Sequence, residues 1–189
     1  TYASYREFFV LEASDPNETI LARAYVDDEV TMVRHGLQFN YLNHKHSATT
    51  RFVNHYLKAD GTAYTEAELA TMPYYESFKG RDPRMAQTIQ APGYIAIGKE
   101  PLSFSKAISG YRVIKFISDN SHIGATTSTS DFALFRYAEV LLNYAEAKAE
   151  LGTLTDADVA ATIDLIRARV GMPKMGTVPT KEDPLMAKY

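Results

Sequence analysis

The segment from Asp131 to Pro173, DFALFRYAEVLLNYAEAKAELGTLTDADVAATIDLIRARVGMP, limits the possible folds of this chain more than any other stretch. In its first half Phe135, Ala138, Leu142, Ala145 and Ala149 recur at three- and four-residue steps, and Tyr137, Leu141 and Tyr144 widen the stripe. That period predicts a helix covered on most of its circumference. Asp131 suits its N-cap, and Gly152 supplies the left-handed residue on which helices end at little steric cost. A second helix follows, with Thr155 as N-cap, Asp156 and Asp158 near the positive end of the dipole, and Val159, Ile163, Ile166 and Val170 as its apolar stripe. Arg167 and Arg169 lie near the negative end, before Gly171 and Pro173 stop it. A connection as short as Gly152 to Thr155 predicts an antiparallel αα-hairpin over 131–170.

Along the first helix Arg136, Glu139, Asn143, Glu146 and Glu150 share one side. These charges are expected to pair with one another and with Arg167 or Arg169 across the hairpin. Paired carboxylates on a helix do not by themselves indicate an enzyme.

Upstream, between Asp15 and Ala125, the pattern is irregular and rich in turn residues. Leu21 to Val33 reads as extended, at least around Ala22-Arg23-Ala24-Tyr25-Val26, and Asp60-Gly61 marks a tight turn. Thr65 to Met72 reads as a short helix in which Thr65 and Glu68 form a capping box and Pro73 closes the end. Ile89 to Ile97 and Tyr111 to Ile117 are the best further strands, and Ser118 to Ser130 is a polar loop. The fold class expected is mainly α, with the helical hairpin and a loop-rich region holding a few short strands.

At 189 residues, 46% hydrophobic and a formal charge of -3, the chain has enough apolar content for a core of ordinary size and too little charge bias to attract nucleic acid. Cysteine is absent, which removes disulfides, thiolate metal sites and a cysteine nucleophile. No apolar run approaches the roughly 18 residues that would span a bilayer.

The run Phe135-Arg136-Tyr137-Ala138-Glu139-Val140-Leu141-Leu142-Asn143-Tyr144-Ala145-Glu146-Ala147, followed by Arg-x-Arg-x-Gly-x-Pro ending at Pro173, closely resembles the SusD/RagB family. A second match is Phe78-Lys79-Gly80-Arg81-Asp82-Pro83-Arg84-Met85, with Gln87-Thr88-Ile89 and Pro92-Gly93, which is similar to the family's GRDPR segment. Tyr56-Leu57-Lys58-Ala59-Asp60-Gly61, and Gly110-Tyr111 with Lys115, match in the same order. The resemblance implies a SusD-like fold whose hairpin is TPR-like, and a non-catalytic Bacteroidetes lipoprotein anchored at the outer-membrane surface. It further implies a glycan or other nutrient as ligand and a SusC-like TonB-dependent transporter as partner, with no cofactor. Residues 1–189 are then expected to be one region of a longer protein, without its N-terminal lipid anchor and TPR part and without its C-terminal end.

The 13 tyrosines direct the search for a site. A pyranose has an apolar face that stacks on an aromatic ring, while its hydroxyls need amides, carboxylates or guanidinium groups. Phe39 to His44 with Arg51 to Tyr56, and Tyr74-Tyr75-Glu76, offer that mixture, so Tyr41, Asn43, Tyr74 and Tyr75 are the candidate ligand residues. Most such rings are expected to fill a core instead. If extended, Tyr74 and Tyr75 point in different directions, so that one of them at most faces a ligand. His44 and His46 would share a strand face, yet no third ligand at metal spacing follows, and no metal site is expected. Asp27-Asp28-Glu29 reads as a solvated turn. Pro83 keeps Asp82 extended, and Asp82 is expected to cap locally or pair with an arginine. Two other classes compete with the nutrient-binding reading: a helical-repeat module that binds a protein, and a glycosidase working through two carboxylates.

Overall fold

The computed structural model describes residues 5–27, 30, 33–44, 46–97, 100–101, 107–117 and 124–186. Packing divides the chain into two compact units, one formed by Thr1–Val53 with Ala86–Phe135 and the other by Asn54–Met85 with Arg136–Tyr189. The described elements are β1 (Thr19–Arg23), α1 (Leu37–Asn43), α2 (Thr50–Asn54), α3 (Glu66–Thr71), α4 (Pro83–Thr88), β2 (Ile95–Ile97), β3 (Glu100–Pro101), β4 (Phe132–Arg136), α5 (Tyr137–Glu150), α6 (Asp156–Ala161) and α7 (Ile163–Arg169). The mainly α expectation is corrected to a mixed, loop-rich fold, because much of the chain outside α5 to α7 is held by turns and isolated bridges.

In the first unit β1 pairs with β4, and β2 pairs antiparallel with β3. Single bridges join Val26 to Val33, His35 to Ser128, Ser47 to Arg112 and Ile89 to Val113. Tyr111 to Ile117 does not form the strand expected of it. Ile114 and Ile117 are both fully buried at a spacing of three, and the Ile117 N–H donates to the Ile114 carbonyl at 3.0 Å, so the chain turns where a strand would alternate. These isoleucines, with Val53 and Ile89, are wholly removed from water, and each contributes on the order of 1.5–3 kcal/mol. Phe116 joins the aromatic part of this core, stacked on Tyr41 at 5.8 Å and tilted against Phe132 at 5.5 Å. Lys115 Nζ lies 3.9 Å from the centre of the Phe9 ring. Arg112, 2% exposed, donates to the Leu42 carbonyl at 2.5 Å and to the Tyr41 carbonyl, tying down the end of α1; burial lowers its pKa.

Asp131 is not the cap of a helix. Its carboxylate accepts from the N–H groups of Ser14 at 2.9 Å and Tyr25 at 3.0 Å, and residues 132–136 are strand β4, where a first helical turn had been expected. The phenylalanine-rich alternation Phe132 to Arg136 fits a strand as well as a helix, and pairing with β1 decides it.

The second unit holds the hairpin. α5 begins at Tyr137 and ends on Gly152 at φ 66°, where the Thr153 N–H reaches the Lys148 carbonyl at 2.9 Å. The second helix is broken in two at Thr162, whose backbone is not helical and whose hydroxyl donates to the Asp158 carbonyl at 2.6 Å. Thr155 caps α6 as expected, in a capping box with Asp158. Asp158 also receives the Tyr144 hydroxyl at 2.9 Å and lies 3.5 Å from Lys148, so the hairpin is joined through this residue. The cross-hairpin pairing expected of the polar line does not appear: Glu139, Glu146 and Glu150 form no ion pair among the described residues. The described bond of the Arg167 side chain runs to the Pro173 carbonyl. Asp164, buried, accepts from the N–H groups of Met175 and Gly176 and holds the segment after α7.

Residues 54–85 surround Arg81. This buried guanidinium donates to the carbonyls of Ser77 and Tyr56, both at 2.9 Å, and stacks 4.1 Å from the centre of the Tyr64 ring. α3 carries the expected capping box of Thr65 and Glu68, and Gly61, at φ 86°, makes the expected turn. Lys58 donates to Glu68 at 2.6 Å, and that bond with the two from Thr65 lowers the Glu68 carboxyl to about 2. Asp82, 2% exposed, pairs with Arg84 through both oxygens and also caps the Arg84 N–H at 2.9 Å, as expected of it.

Replacing Asp82 with Ala should lower stability by about 1–3 kcal/mol, read by urea denaturation, since a buried charge-assisted bond and a turn cap go together. A wild-type midpoint would show that Asp82 does not anchor the loop. The Asp158 carboxyl is held at about 2, first by the Thr155 hydroxyl and also by the Thr155 N–H and the Tyr144 hydroxyl. A depressed carboxyl stabilises the fold fully above its unfolded pKa of roughly 4 and loses that contribution as pH falls through about 2. Carbon-detected NMR titration should place the Asp158 midpoint near 2 and move it upward in Thr155→Ala.

Candidate functional site

Each unit has a cavity lined by described residues. The one in the second unit, about 350 Å³, is lined by Asn54, Glu66, Leu69, Ala70 and Leu185, and no aromatic ring is among them. The one in the first unit, about 340 Å³, is lined by Tyr25, His35, Gly36, Leu37, Asn40 and Phe132. Both volumes lie at the lower end of the range that small-molecule sites occupy. Of these two cavities, the one in the first unit combines ring-bearing residues with an amide.

The walls of that cavity are fixed by backbone-directed bonds. His35 Nδ1 accepts from the Leu37 N–H at 3.1 Å, which puts the ring proton on Nε2, 2.9 Å from the Ser130 carbonyl. Both ring nitrogens are thereby used within the fold. The His35 backbone exchanges hydrogen bonds with Ser128 at 2.9 and 3.0 Å. Tyr25 packs edge-on against His35 with centroids 4.4 Å apart, and its N–H is held by Asp131. Phe132, on β4, leans on Phe116. Gly36 leads into α1, and a Cβ built on it would meet the Ala125 carbonyl oxygen at 2.0 Å, so only glycine fits. On α1 the Asn40 side chain is exposed and has no side-chain hydrogen bond among the described residues.

The four residues singled out from sequence are divided between the units. Tyr41 and Asn43 are on α1 in the first unit, Tyr41 half-buried and Asn43 exposed. The Tyr41 ring stacks on Phe116 and meets His46 at 5.4 Å, and burial raises its hydroxyl pKa. The Asn43 amide donates to the Phe39 carbonyl at 3.0 Å. Tyr74 and Tyr75 belong to the second unit and precede the 3-10 turn Glu76–Phe78. They are not extended, since Tyr75 has helical backbone angles, and both rings reach solvent, Tyr74 at 39% exposure and Tyr75 at 59%. Tyr74 packs edge-on to Phe78, and Lys79 Nζ lies 5.2 Å from the centre of the Tyr75 ring.

Asn40 lies within the first aromatic cluster marked out in the sequence, though not among the four candidate residues, whereas Tyr25, His35 and Phe132 lie outside both clusters. Tyr25 carried the usable signal, as the aromatic residue of the stretch already read as extended. The rings of His44 and His46 lie 6.0 Å apart, and no group of three metal-binding side chains occurs among the described residues. Of the acidic run, Asp28 and Glu29 lie outside the described residues, and Asp27 pairs with Arg34. Residues 118–123 of the expected polar loop also lie outside them.

Comparison with known proteins gives one family and several solved folds. A family model described as the SusD family matches residues 18–187. A SusD-like carbohydrate-binding protein from Bacteroides fragilis NCTC 9343 superposes with a TM-score of 0.58 at 21% identity, over 90% of this chain and 36% of that one. A second SusD-like protein from the same organism gives 0.59 at 24% identity, over 92% and 39%. The chain thus spans well under half the length of these structural relatives. No curated protein matches it.

Because Gly36 is fixed by contact with backbone, Gly36→Ala must displace either α1 or the Ala125 peptide. Its stability should fall by about 1–3 kcal/mol, measured by urea denaturation, whereas Gly93→Ala, at a site with open space around it, should show only the smaller cost of its left-handed φ.

Proposed function

Because the chain belongs to the SusD family, we propose that it is part of a cell-surface protein that binds glycans or related nutrients without chemically altering them. The observation that carries this reading is the match of the family model over residues 18–187. The family is one of non-catalytic binding proteins. In the first unit, Asp131 and His35, two residues of types that often work as acid or base, are both engaged in holding backbone.

In this proposal the 189 residues are one region of a longer lipoprotein anchored at the outer-membrane surface, delivering its ligand to a SusC-like TonB-dependent transporter. The hairpin α5 to α7 is its TPR-like part. Tyr74 and Tyr75 offer ring faces to the ligand, and Tyr41 and Asn43 form a second group at the end of α1. Exposed aromatic rings are the surfaces on which the apolar face of a sugar rests.

A second reading, a protein-binding module without affinity for glycans, is favoured by one observation. Tyr137, Val140, Tyr144 and Leu151 lie at helical spacing and are all exposed, with Leu165 of α7 exposed as well. Affinity electrophoresis separates the two readings. On the first, gels containing neutral polysaccharides such as glycogen, galactomannan or arabinoxylan should retard the protein, and Tyr75→Ala should weaken that retardation several-fold. Unretarded migration on every polysaccharide would leave the protein-binding module as the better account.

A further inference from the structure

We propose that the first unit's cavity, between Tyr25, His35, Asn40 and Phe132, is a binding site for one neutral pyranose unit of a glycan; the assignment rests on the nutrient-binding reading above. The chemistry of the lining selects this class of ligand. No acidic or basic side chain lines the cavity among the described residues apart from His35, and His35 is held with both nitrogens bonded. The charged groups touching Tyr25 are already placed. Asp131 accepts from two backbone N–H groups, and Arg23 lies over the Tyr25 ring at 5.9 Å without lining the cavity. An anionic or cationic ligand therefore finds no counter-charge among the described residues of the lining, and entry of a bare charge is costly.

A wholly apolar ligand fits no better. Asn40 and Tyr25, which carry an amide and a hydroxyl, are both lining residues, and neither side chain has a hydrogen-bond partner among the described residues. Covering them with hydrocarbon would strip their water and return nothing. A sugar meets both demands. Its hydroxyls pair with an amide that donates and accepts in one plane and with a phenol, and its apolar face rests on Tyr25 or Phe132. The volume of about 340 Å³ admits a short stretch of glycan at most.

Rigidity supports the same assignment. Phe132 is backed by Phe116, which is itself stacked on Tyr41; His35 is fixed to Ser128 and Ser130; and Gly36 cannot accept a side chain. Weakly binding sugars gain most from a site already in its bound shape.

The test is calorimetric titration of the 189-residue protein with maltohexaose, cellohexaose, mannohexaose and xylohexaose. Asn40→Ala removes the amide from an exposed helical position that alanine favours, and Tyr25→Phe removes only the hydroxyl while keeping the ring against His35. Far-UV circular dichroism confirms that both fold. One of the four sugars should bind, with affinity reduced about tenfold by Asn40→Ala and about threefold by Tyr25→Phe, and unchanged by Asn143→Ala on α5. Binding that both cavity variants leave at wild-type strength overturns this site and leaves the nutrient-binding reading intact. If none of the four binds, the neutral-pyranose assignment falls, and polysaccharide retardation decides whether the wider reading falls with it.

Discussion

A chain with so little regular structure must satisfy its backbone carbonyls by some means other than ladders, and in each unit a buried arginine does this. Arg112 reaches the carbonyls at the end of α1, and Arg81 those of Ser77 and Tyr56. A guanidinium suits the task because its five donors are splayed in a plane, so one side chain can bind peptides from segments remote in sequence. Its desolvation is costly, and the lowered pKa of Arg112 reflects that cost. Three short carboxylates complement them. Asp131 and Asp164 bind the N–H groups of loops, and Asp82 that of Arg84 in the first turn of α4, in the same way that the arginines bind carbonyls. Buried charge here substitutes for secondary structure.

That division explains which parts of the structure were legible in the sequence. Local signals were read correctly: the capping boxes at Thr65 and Thr155, the turn at Gly61, the helix end at Gly152 and the Asp82–Arg84 pair each involve residues within five positions of one another. Asp131 was misread because its partners, Ser14 and Tyr25, are more than a hundred residues away, and an aspartate before an apolar run looks like an N-cap whatever it binds. Tyr111 to Ile117 has strand composition, yet its two isoleucines are buried at a spacing of three, which composition does not reveal. The break at Thr162 is likewise invisible to apolar periodicity, since Val159 and Ile163 keep their helical spacing across it.

The candidate cavity was illegible for a related reason. Its lining residues come from positions 25, 35–37, 40 and 132, and long-range contacts such as the bridge from His35 to Ser128, the Asp131 bond to the Tyr25 N–H and the pairing of β1 with β4 bring these stretches together. Sequence reasoning looked for sugar sites in dense aromatic clusters, and so found Tyr41, whose ring is half-buried against Phe116. Composition shows that a site of this chemistry is affordable, and long-range pairing decides which rings are left to line it.

The hairpin contains a similar inversion. Its recognisable run suggests a helix with large residues facing inward, yet Ala145 is the buried residue of α5 while Tyr137, Val140, Leu142 and Tyr144 are exposed. Small residues on the inner face allow α6 and α7 to approach closely, with Tyr144 and Lys148 reaching Asp158 at the margin. The motif therefore records two requirements at once, close packing on one side and an apolar surface on the other. Neither requirement selects a ligand. A run fixed by packing in this way identifies a scaffold, and specificity is free to reside in residues outside it, such as Tyr25 and Asn40.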